Sequence, residues 1–497
     1  MQVTAKTPGR LILAAAIASL FATVVTPAFA DTETLLDKLH EKGVLSDEEY
    51  QEMRTEARAE RRAQALKDAQ AGESKEKARE AFPTQTQGKF KEGFSWESGD
   101  KSSFVTIAGR VQADYRKFEG VGSSVTADTF DLRRAYLGVA GRMYDYVTWD
   151  ITGDFAQTTP PPLDVAWINF EINPAVQLRF GQFKMPFSME ELGSSRFIDF
   201  QERSLLNQFV PQKERGFMLW GVPTPGVVYG VALSTGQGKN NNDTVPSKAK
   251  ADLIGRVAVN AAEFIDRKNM VLHFAAAYSE GILPANFGLS DRTEGRGATF
   301  FNTANFAGDN VRRRREGLEA ALAWGPVKLQ SEVLHVNWQG AVFTESYDRS
   351  LDTNYIEALW LVTGEHYADA YKYSQFGRII PNSNFAMRGG GWGAFEVGLR
   401  LSHLDASDFQ PGNTAGTGVL AGQTNNTQIP QLLTPANQVT ATTVGLKWLL
   451  NPNTRIYLNY VLTRFDTDIT LRANYNNQPN VTISAEKALT LRVGLDF

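Results

Sequence analysis

The sequence predicts an all-β transmembrane protein, an antiparallel barrel that follows a helical N-terminal arm. Apolar and polar residues alternate in segments near ten residues long, and these segments recur over roughly 400 residues. Short turns and long polar connections alternate between the segments, which is typical of a membrane barrel with a wet interior. A soluble β-sandwich also alternates, but its strands are usually only about 5–6 residues long. The pattern therefore favours the membrane barrel.

The first 30 residues have the composition of a secretory signal peptide. Lys6 and Arg10 precede an apolar run, and an A-F-A sequence at 28–30 provides a small-residue cleavage site. The apolar run is shorter than the ~18 residues that a membrane-spanning helix requires. We therefore expect residues 1–30 to be removed on export.

Residues 31–80 differ in composition from all that follows and predict a helical periplasmic arm. The stretch LLDKLHEKGVLSDEEYQEMR combines a short helix, a stop at Gly43 and a second helix whose Ser46 and Glu49 form a capping box. The apolar stripe of these helices is narrow, so a solvated arm and a self-associating coiled coil both remain open. Residues 81–93 are predicted to link the arm to a barrel at 94–497.

The C-terminal segment ALTLRVGLDF shows the barrel pattern most clearly. Its alternation places Leu489, Leu491 and Val493 on one side and Arg492 and Asp496 on the other. Apolar side chains would face lipid, and the polar ones would face the lumen.

Charge and residue types exclude several functions. Without the signal peptide, 49 Lys and Arg remain against 55 Asp and Glu, and a net charge of −6 argues against nucleic-acid binding. The chain has no cysteine, and its five histidines show no metal-binding spacing. Neither a G-x-S-x-G elbow nor a phosphate-binding loop occurs. We therefore expect no enzymatic activity, no cofactor and no metal site.

The same alternation assigns several arginines to the lumen. It turns Arg110 inward in VTIAGRVQADY, Arg134 and Tyr136 inward in DLRRAYLGVAG, and Arg256 inward in LIGRVAV. Arg133 falls on the lipid-facing parity, so we expect it beyond the apolar band or at a protein contact. Arginines along a pore lower the barrier to a desolvating anion, and guanidinium groups bind phosphate through two parallel hydrogen bonds.

The segment SSRFIDFQER, residues 194–203, interrupts the strand pattern. Arg196 and Arg203 lie seven residues apart, so a helix would present both on one face. The sequence thus predicts a short helix with a basic face inside an all-β protein.

Taken together, several stretches resemble the phosphate-selective porin O and P family of outer-membrane channels. They are SFVTIAGRVQADYRKFEG, LRRAYLGVAG, LRFGQFKMPFSMEELGSSRFIDFQERSLLN, ALWLVTGEHYADAYKY, GAFEVGLRLSHLD and the terminal strand. The resemblance implies a sixteen-stranded barrel, a homotrimer and an arginine ladder that descends to a constriction formed by the third loop, here residues 187–210.

The resemblance also implies roles for individual residues. Ser194, Ser195 and Arg196 would line the constriction, and Arg203 matches the arginine of the family's loop. The ladder strands match at Arg110, Arg133, Arg134 and Tyr136, and Asp164 matches by spacing an acid near the phosphate site. Glu191 departs from the family, because phosphate-selective members carry a lysine at this position.

These observations predict a porin of the Gram-negative outer membrane through which small anions diffuse passively. The expected partners are phosphate or polyphosphate, chloride, outer-membrane lipid and two further copies of the chain. Glu191 favours an alternative, a weakly selective porin for other solutes. A structural barrel whose arm tethers the membrane to periplasmic material is the third possibility.

Overall fold

A computed structural model describes most of the chain from residue 89 onward. The described residues are 38, 41–42, 46–47, 50–51, 55, 89–90, 93–119, 128–156, 162–240, 250–283, 287–303, 306, 311–342, 345–409, 434, 436–471 and 480–497. The chain divides into two units, residues 1–85 and 86–497. In the first unit, positions 38, 41, 47, 50, 51 and 55 are helical. The signal peptide, most of the arm and most of the linker lie outside this set, and the coiled-coil alternative stays a prediction.

In the second unit, sixteen long strands among the described residues form one closed antiparallel barrel, as predicted. Each strand pairs with the next along the chain, and the last pairs with the first from Lys487↔Glu119 to Asp496↔Arg110. The strands are β1 (Phe104–Glu119), β2 (Thr129–Met143), β3 (Val147–Asp154), β4 (Leu163–Asn173), β5 (Val176–Lys184), β6 (Lys213–Thr224), β7 (Val227–Ser234), β8 (Lys250–Asn260), β9 (Met270–Leu283), β10 (Val311–Trp324), β11 (Val327–Val342), β12 (Glu345–Leu361), β13 (Ala394–Asp405), β14 (Gln438–Leu449), β15 (Thr454–Leu471) and β16 (Val481–Asp496).

Shorter elements complete the described structure. Helix α1 is Met189–Leu192, and three 3-10 helices occupy Leu205–Gln208, Ala261–Ile265 and Tyr367–Ala370. Three small hairpins pair Lys89–Phe90 with Phe94–Glu97, Ser290–Arg292 with Thr299–Asn302, and Tyr371–Lys372 with Gln375–Phe376. No helix among the described residues has the length and apolar character needed to cross a bilayer.

The two faces of the strands differ as the alternation predicts. On β16, Leu489, Leu491 and Val493 are 37–47% exposed, whereas Arg492 and Asp496 are buried. Contact with lipid stabilises an apolar outer face, and water in the lumen solvates polar inner side chains. This pattern is therefore typical of a transmembrane barrel.

The two ends of the barrel are built differently. At the end where the chain enters β1 and leaves β16, tight turns join β4 to β5, β6 to β7 and β10 to β11. At the other end, most connections are long. In outer-membrane barrels the short turns are periplasmic and the long loops extracellular. One long connection, residues 362–393, nevertheless lies at the short-turn end, and we call it turn T6.

Loop L3 (185–212), loop L5 (284–310) and turn T6 contribute buried side chains inside the barrel. Phe187, Leu206 and Phe209 of L3 join Phe300 and Phe301 of L5 in one apolar cluster. In T6, Tyr367 belongs to a second cluster, which also contains Phe200 of L3. Buried aromatic contacts of this kind fix these segments against the inner wall.

Candidate functional site

Loop L3 crosses the lumen, but its basic segment is not helical. Residues 194–203 form turns and bends, so the prediction of a helix there is wrong. Wall side chains donate hydrogen bonds to the loop's carbonyl oxygens instead. Gln112 donates to Ser195, Arg455 to Arg196, Tyr457 to Ile198, Arg492 to Gln201 and Arg400 to Glu202. Because these donors satisfy the backbone, the segment does not need the internal hydrogen bonds of a helix.

The one α-helix of the loop, α1, is capped by two cations. Lys184 Nζ donates to the carbonyl oxygens of Glu191 (2.5 Å), Leu192 (3.2 Å) and Gly193 (2.6 Å). The Arg203 guanidinium donates to the carbonyl oxygens of Glu190 at 3.0 Å and Gly193 at 2.9 Å. Cations stabilise a helix C-terminus because its last carbonyls lack partners within the helix. Arg203 therefore fixes the loop as well as lining the cavity.

Glu191 is buried beside these cations. One carboxylate oxygen lies 3.5 Å from Arg203 Nη1, and the residue lines the lumen cavity. Burial by itself would raise the pKa of the Glu191 carboxyl, but Arg203 and Lys184 hold this pKa below its ordinary value. The carboxylate is thus charged and compensated within the loop.

A β-bulge turns Arg133 into the lumen. The pairing of β1 with β2 passes from Gln112↔Arg134 to Ala113↔Leu132, which leaves Arg133 as the extra residue. Its Nε and Nη2 donate to the two carboxylate oxygens of Glu202 at 2.9 and 3.2 Å. We predicted that Arg133 lies either beyond the apolar band or at a protein contact. In the structure it lies at a protein contact, which is inside the barrel.

Glu202 joins three segments of the barrel. Besides Arg133 of β2, it accepts a hydrogen bond at 2.8 Å from Arg492 of β16, which also forms two 2.7 Å bonds with Asp114. Burial opposes ionisation of Glu202, but Arg133 and Arg492 hold its pKa well below the ordinary value. This network anchors L3 to both β2 and β16.

Arg110, Tyr136 and Asp164 lie together on the wall. The Arg110 guanidinium carbon is 3.9 Å from the centroid of the Tyr136 ring, and the Tyr136 hydroxyl donates to Asp164 Oδ1 at 3.2 Å. Asp164 also accepts hydrogen bonds from Lys213 at 2.7 Å and Lys239 at 3.2 Å. The acid is therefore surrounded by donors, while the tyrosine face orients Arg110.

Arg134 and the two serines border the same space. Arg134 Nη1 donates to Gln112 Oε1 at 2.9 Å, and Gln112 in turn holds the Ser195 carbonyl. The Ser194 hydroxyl accepts a hydrogen bond from the Arg196 backbone N–H at 3.3 Å. The residues of this group that line the cavity are Arg134, Ser194, Ser195 and Arg196.

Arg256 lines the cavity but is compensated by a carboxylate. Its Nε and Nη2 donate to Glu319 at 2.8 and 2.6 Å, and its Nη1 donates to Ser374 of T6 at 2.7 Å. A buried bidentate pair leaves little net charge for a passing ion.

The lumen cavity has a volume of about 960 Å³ and a strongly basic lining. Twelve cationic side chains line it against seven carboxylates, an excess of five positive charges, although the whole chain has a net charge of −4. The cations are Arg110, Arg133, Arg134, Arg179, Lys184, Arg196, Arg203, Lys213, Lys239, Arg256, Arg292 and Arg296.

Several of these cations were not expected from the sequence. Arg179 could have been found, because Leu178 and Phe180 on either side of it are apolar and alternate with it. Lys184 was harder to assign, since the irregular backbone at Gly181 (φ 123°) interrupts the alternation before it. Lys239, Arg292 and Arg296 belong to loops, where alternation gives no information. No cluster of His, Cys, Asp and Glu suited to a metal ion occurs among the described residues.

Comparison with known proteins supplies independent findings. The model of a family described as phosphate-selective porin O and P matches residues 105–497. Porin O of Pseudomonas aeruginosa is 24% identical over 404 residues, covering 76% of this chain and 87% of the relative. Among solved structures, an anion-selective porin from Comamonas acidovorans matches with a TM-score of 0.45, at 12% identity, over 80% of this chain and 100% of its own. The outer-membrane protein OmpT of Vibrio cholerae, in its trimer form, matches with a TM-score of 0.46 at 10% identity, over the same shares.

Proposed function

Because the chain belongs to the phosphate-selective porin O and P family, and is therefore an outer-membrane porin for anions, we propose that arginines of the lumen select its solutes. The observation that carries the proposal is the excess of five positive charges around the lumen cavity. An anion that enters this cavity loses part of its hydration shell, and guanidinium and hydroxyl donors replace it.

The cations without a carboxylate partner among the described residues carry most of this effect. Arg110 is held by a tyrosine face and Arg134 by an amide oxygen, and neither forms an ion pair with a carboxylate among the described residues. Arg133 and Arg256, by contrast, form bidentate pairs with Glu202 and Glu319. Selection therefore depends on the Arg110 and Arg134 side of the cavity, together with Ser194, Ser195 and Arg196 of L3.

Phosphate is the proposed substrate class within this function. The compensation of Glu191 by Arg203 and Lys184 supports it, since an isolated carboxylate at this position would repel the ion. Family resemblance supports assembly as a homotrimer. The carboxylates paired with Arg133 and Arg256 favour a second candidate, a weakly selective porin for other solutes.

Replacing one uncompensated arginine tests the proposal. R134Q should lower the chloride-to-potassium permeability ratio in planar bilayers by about twofold or more, because one cavity charge is removed. R142Q is the matched control, since Arg142 also lies on β2 but pairs with Glu171 at 2.9 Å and does not line the cavity. Equal ratios in the two variants would contradict the proposal, and absence of any conductance would favour a structural barrel.

A further inference from the structure

On the side of L3 that faces the short-turn end of the barrel, four cavity-lining residues form a patch of aromatic rings and one cation. They are Trp167 of β4, Arg179 of β5, Trp220 of β6 and Tyr373 of T6. The Arg179 guanidinium carbon lies 4.3 Å from the Trp167 ring centroid and 5.0 Å from that of Trp220. We call these residues the tryptophan–arginine patch.

The hydrogen-bonding capacity of Arg179 is unused among the described residues. Its Nε is buried without a partner, and no described side chain or carbonyl accepts a hydrogen bond from the guanidinium or forms an ion pair with it. Asp150 and Glu171 attract the guanidinium electrostatically but form no hydrogen bond with it. Arg256 and Arg492, which also face the lumen, each form two hydrogen bonds with one carboxylate. A planar cation with free donors that lines a water-filled cavity suits an incoming acid group.

The surrounding rings are held in fixed orientations. Trp220 Nε1 donates to Asn169 Oδ1 at 2.8 Å, and Asn169 Nδ2 donates to Gln177 Oε1 at 3.0 Å. Tyr373 meets Trp220 edge to face, with ring centroids 6.2 Å apart. Because the indole N–H of Trp220 is already bonded, the ring offers a passing solute its apolar face.

The patch is separate from the loop constriction along the pore. Arg179 lies three residues after the start of β5 at the short-turn end, and Lys184, which caps α1, lies five residues further on. At about 3.3 Å per residue on strands tilted by about 35–45°, five strand residues span about 12 Å along the pore. A solute that passes through the barrel would therefore contact L3 and this patch one after the other.

We propose that the tryptophan–arginine patch binds planar organic carboxylates, with aromatic acids as the preferred class. This inference rests on the proposed anion-porin function and extends it to a second substrate class. The carboxylate accepts two parallel N–H bonds from Arg179, while the ring of the solute packs against Trp220 and Trp167. Inorganic phosphate has no planar body to pack there, so the patch discriminates by shape as well as charge.

Block of the chloride current by two acids of similar size tests this site. Benzoate is planar, whereas cyclohexanecarboxylate carries the same charge on a puckered ring. In the unmodified channel, benzoate should block at a concentration about fivefold or more below that of cyclohexanecarboxylate, because only the planar ring stacks. R179Q and R179K should both abolish the difference, since lysine retains the charge but lacks the planar donor pair.

R312Q serves as the control, because Arg312 pairs with Glu280 at 2.8 Å and does not line the cavity, so its loss should leave the benzoate preference intact. Equal block by the two acids in the unmodified channel, or a benzoate preference that survives in R179K, would overturn the inference. A channel that prefers potassium to chloride would refute the anion-porin proposal instead, and that is read from the reversal potential without either acid.

Discussion

Two loop arginines that look equivalent in the sequence have different surroundings. The Arg203 guanidinium holds the carbonyl oxygens of Glu190 and Gly193, whereas the bond from Arg455 to residue 196 involves only the Arg196 backbone. Substitution of either residue removes one positive charge from the cavity. Substitution of Arg203 also removes the two hydrogen bonds to these carbonyl oxygens, which hold the loop.

We therefore expect R203A to change the mobility of L3 as well as the charge of the cavity. Hydrogen bonds from charged groups contribute about 1.5–3 kcal/mol each, so R203A should loosen L3 and increase open-channel current noise. R196A should lower anion preference, because it also removes one positive charge from the cavity lining. Single-channel recording at fixed voltage measures both quantities, and unchanged noise in R203A would contradict the role of Arg203 in holding the loop.

Substitution of Glu191 tests the proposal that phosphate binds at L3. Its carboxylate lies 3.5 Å from Arg203 and offsets that charge. We expect E191Q to lower the phosphate concentration that blocks half of the chloride current severalfold, because Arg203 is then uncompensated. Titration of the chloride current with phosphate in both channels measures this, and E190Q, a neighbouring loop acid, is the control. An unchanged half-blocking concentration would show that the charge at residue 191 does not affect block by phosphate.

Among the strands and loops, alternation predicted the lumen position of Arg110, Arg134 and Arg256, because the local pairing is regular from Arg110↔Tyr136 to Gln112↔Arg134 and at Arg256↔Gly230. It failed for Arg133, since a bulge breaks the period of two and nothing in the sequence marks where it occurs. The helix predicted at 194–203 failed because donors distant in sequence satisfy that backbone. A local sequence pattern gives no information about contacts between residues that are distant in the sequence.

The anchoring of L3 through Glu202 predicts a pH dependence. The pKa of Glu202 is held well below its ordinary value of about 4.3 by the neighbouring arginines Arg133 and Arg492. The ion pairs therefore stabilise the loop fully above pH about 4.3, and this stabilisation is lost as the pH falls toward the folded-state pKa. Current noise should rise on acidification below this pH in the unmodified channel.

The variant E202Q supplies the control for this titration, because glutamine carries no titrating proton. Its noise should already be raised at neutral pH and should change less on acidification. An acid-induced change of the same size in both channels would place the responsible group elsewhere.

At the scale of the whole molecule, net charge and lumen charge have opposite signs. The chain carries −4, yet the lining of its cavity carries five more positive than negative side chains. Net charge does not indicate which ion passes. Under the proposed function, selectivity depends on the charges that the fold gathers along the solute path, where fewer water molecules screen them.

The reversal potential of the purified channel in a potassium chloride gradient is the most direct test of the basic cavity's role. We predict a potential of the sign set by chloride, which means that chloride permeates more readily than potassium. A potential of the opposite sign would contradict it, because the basic cavity would then not control which ion passes.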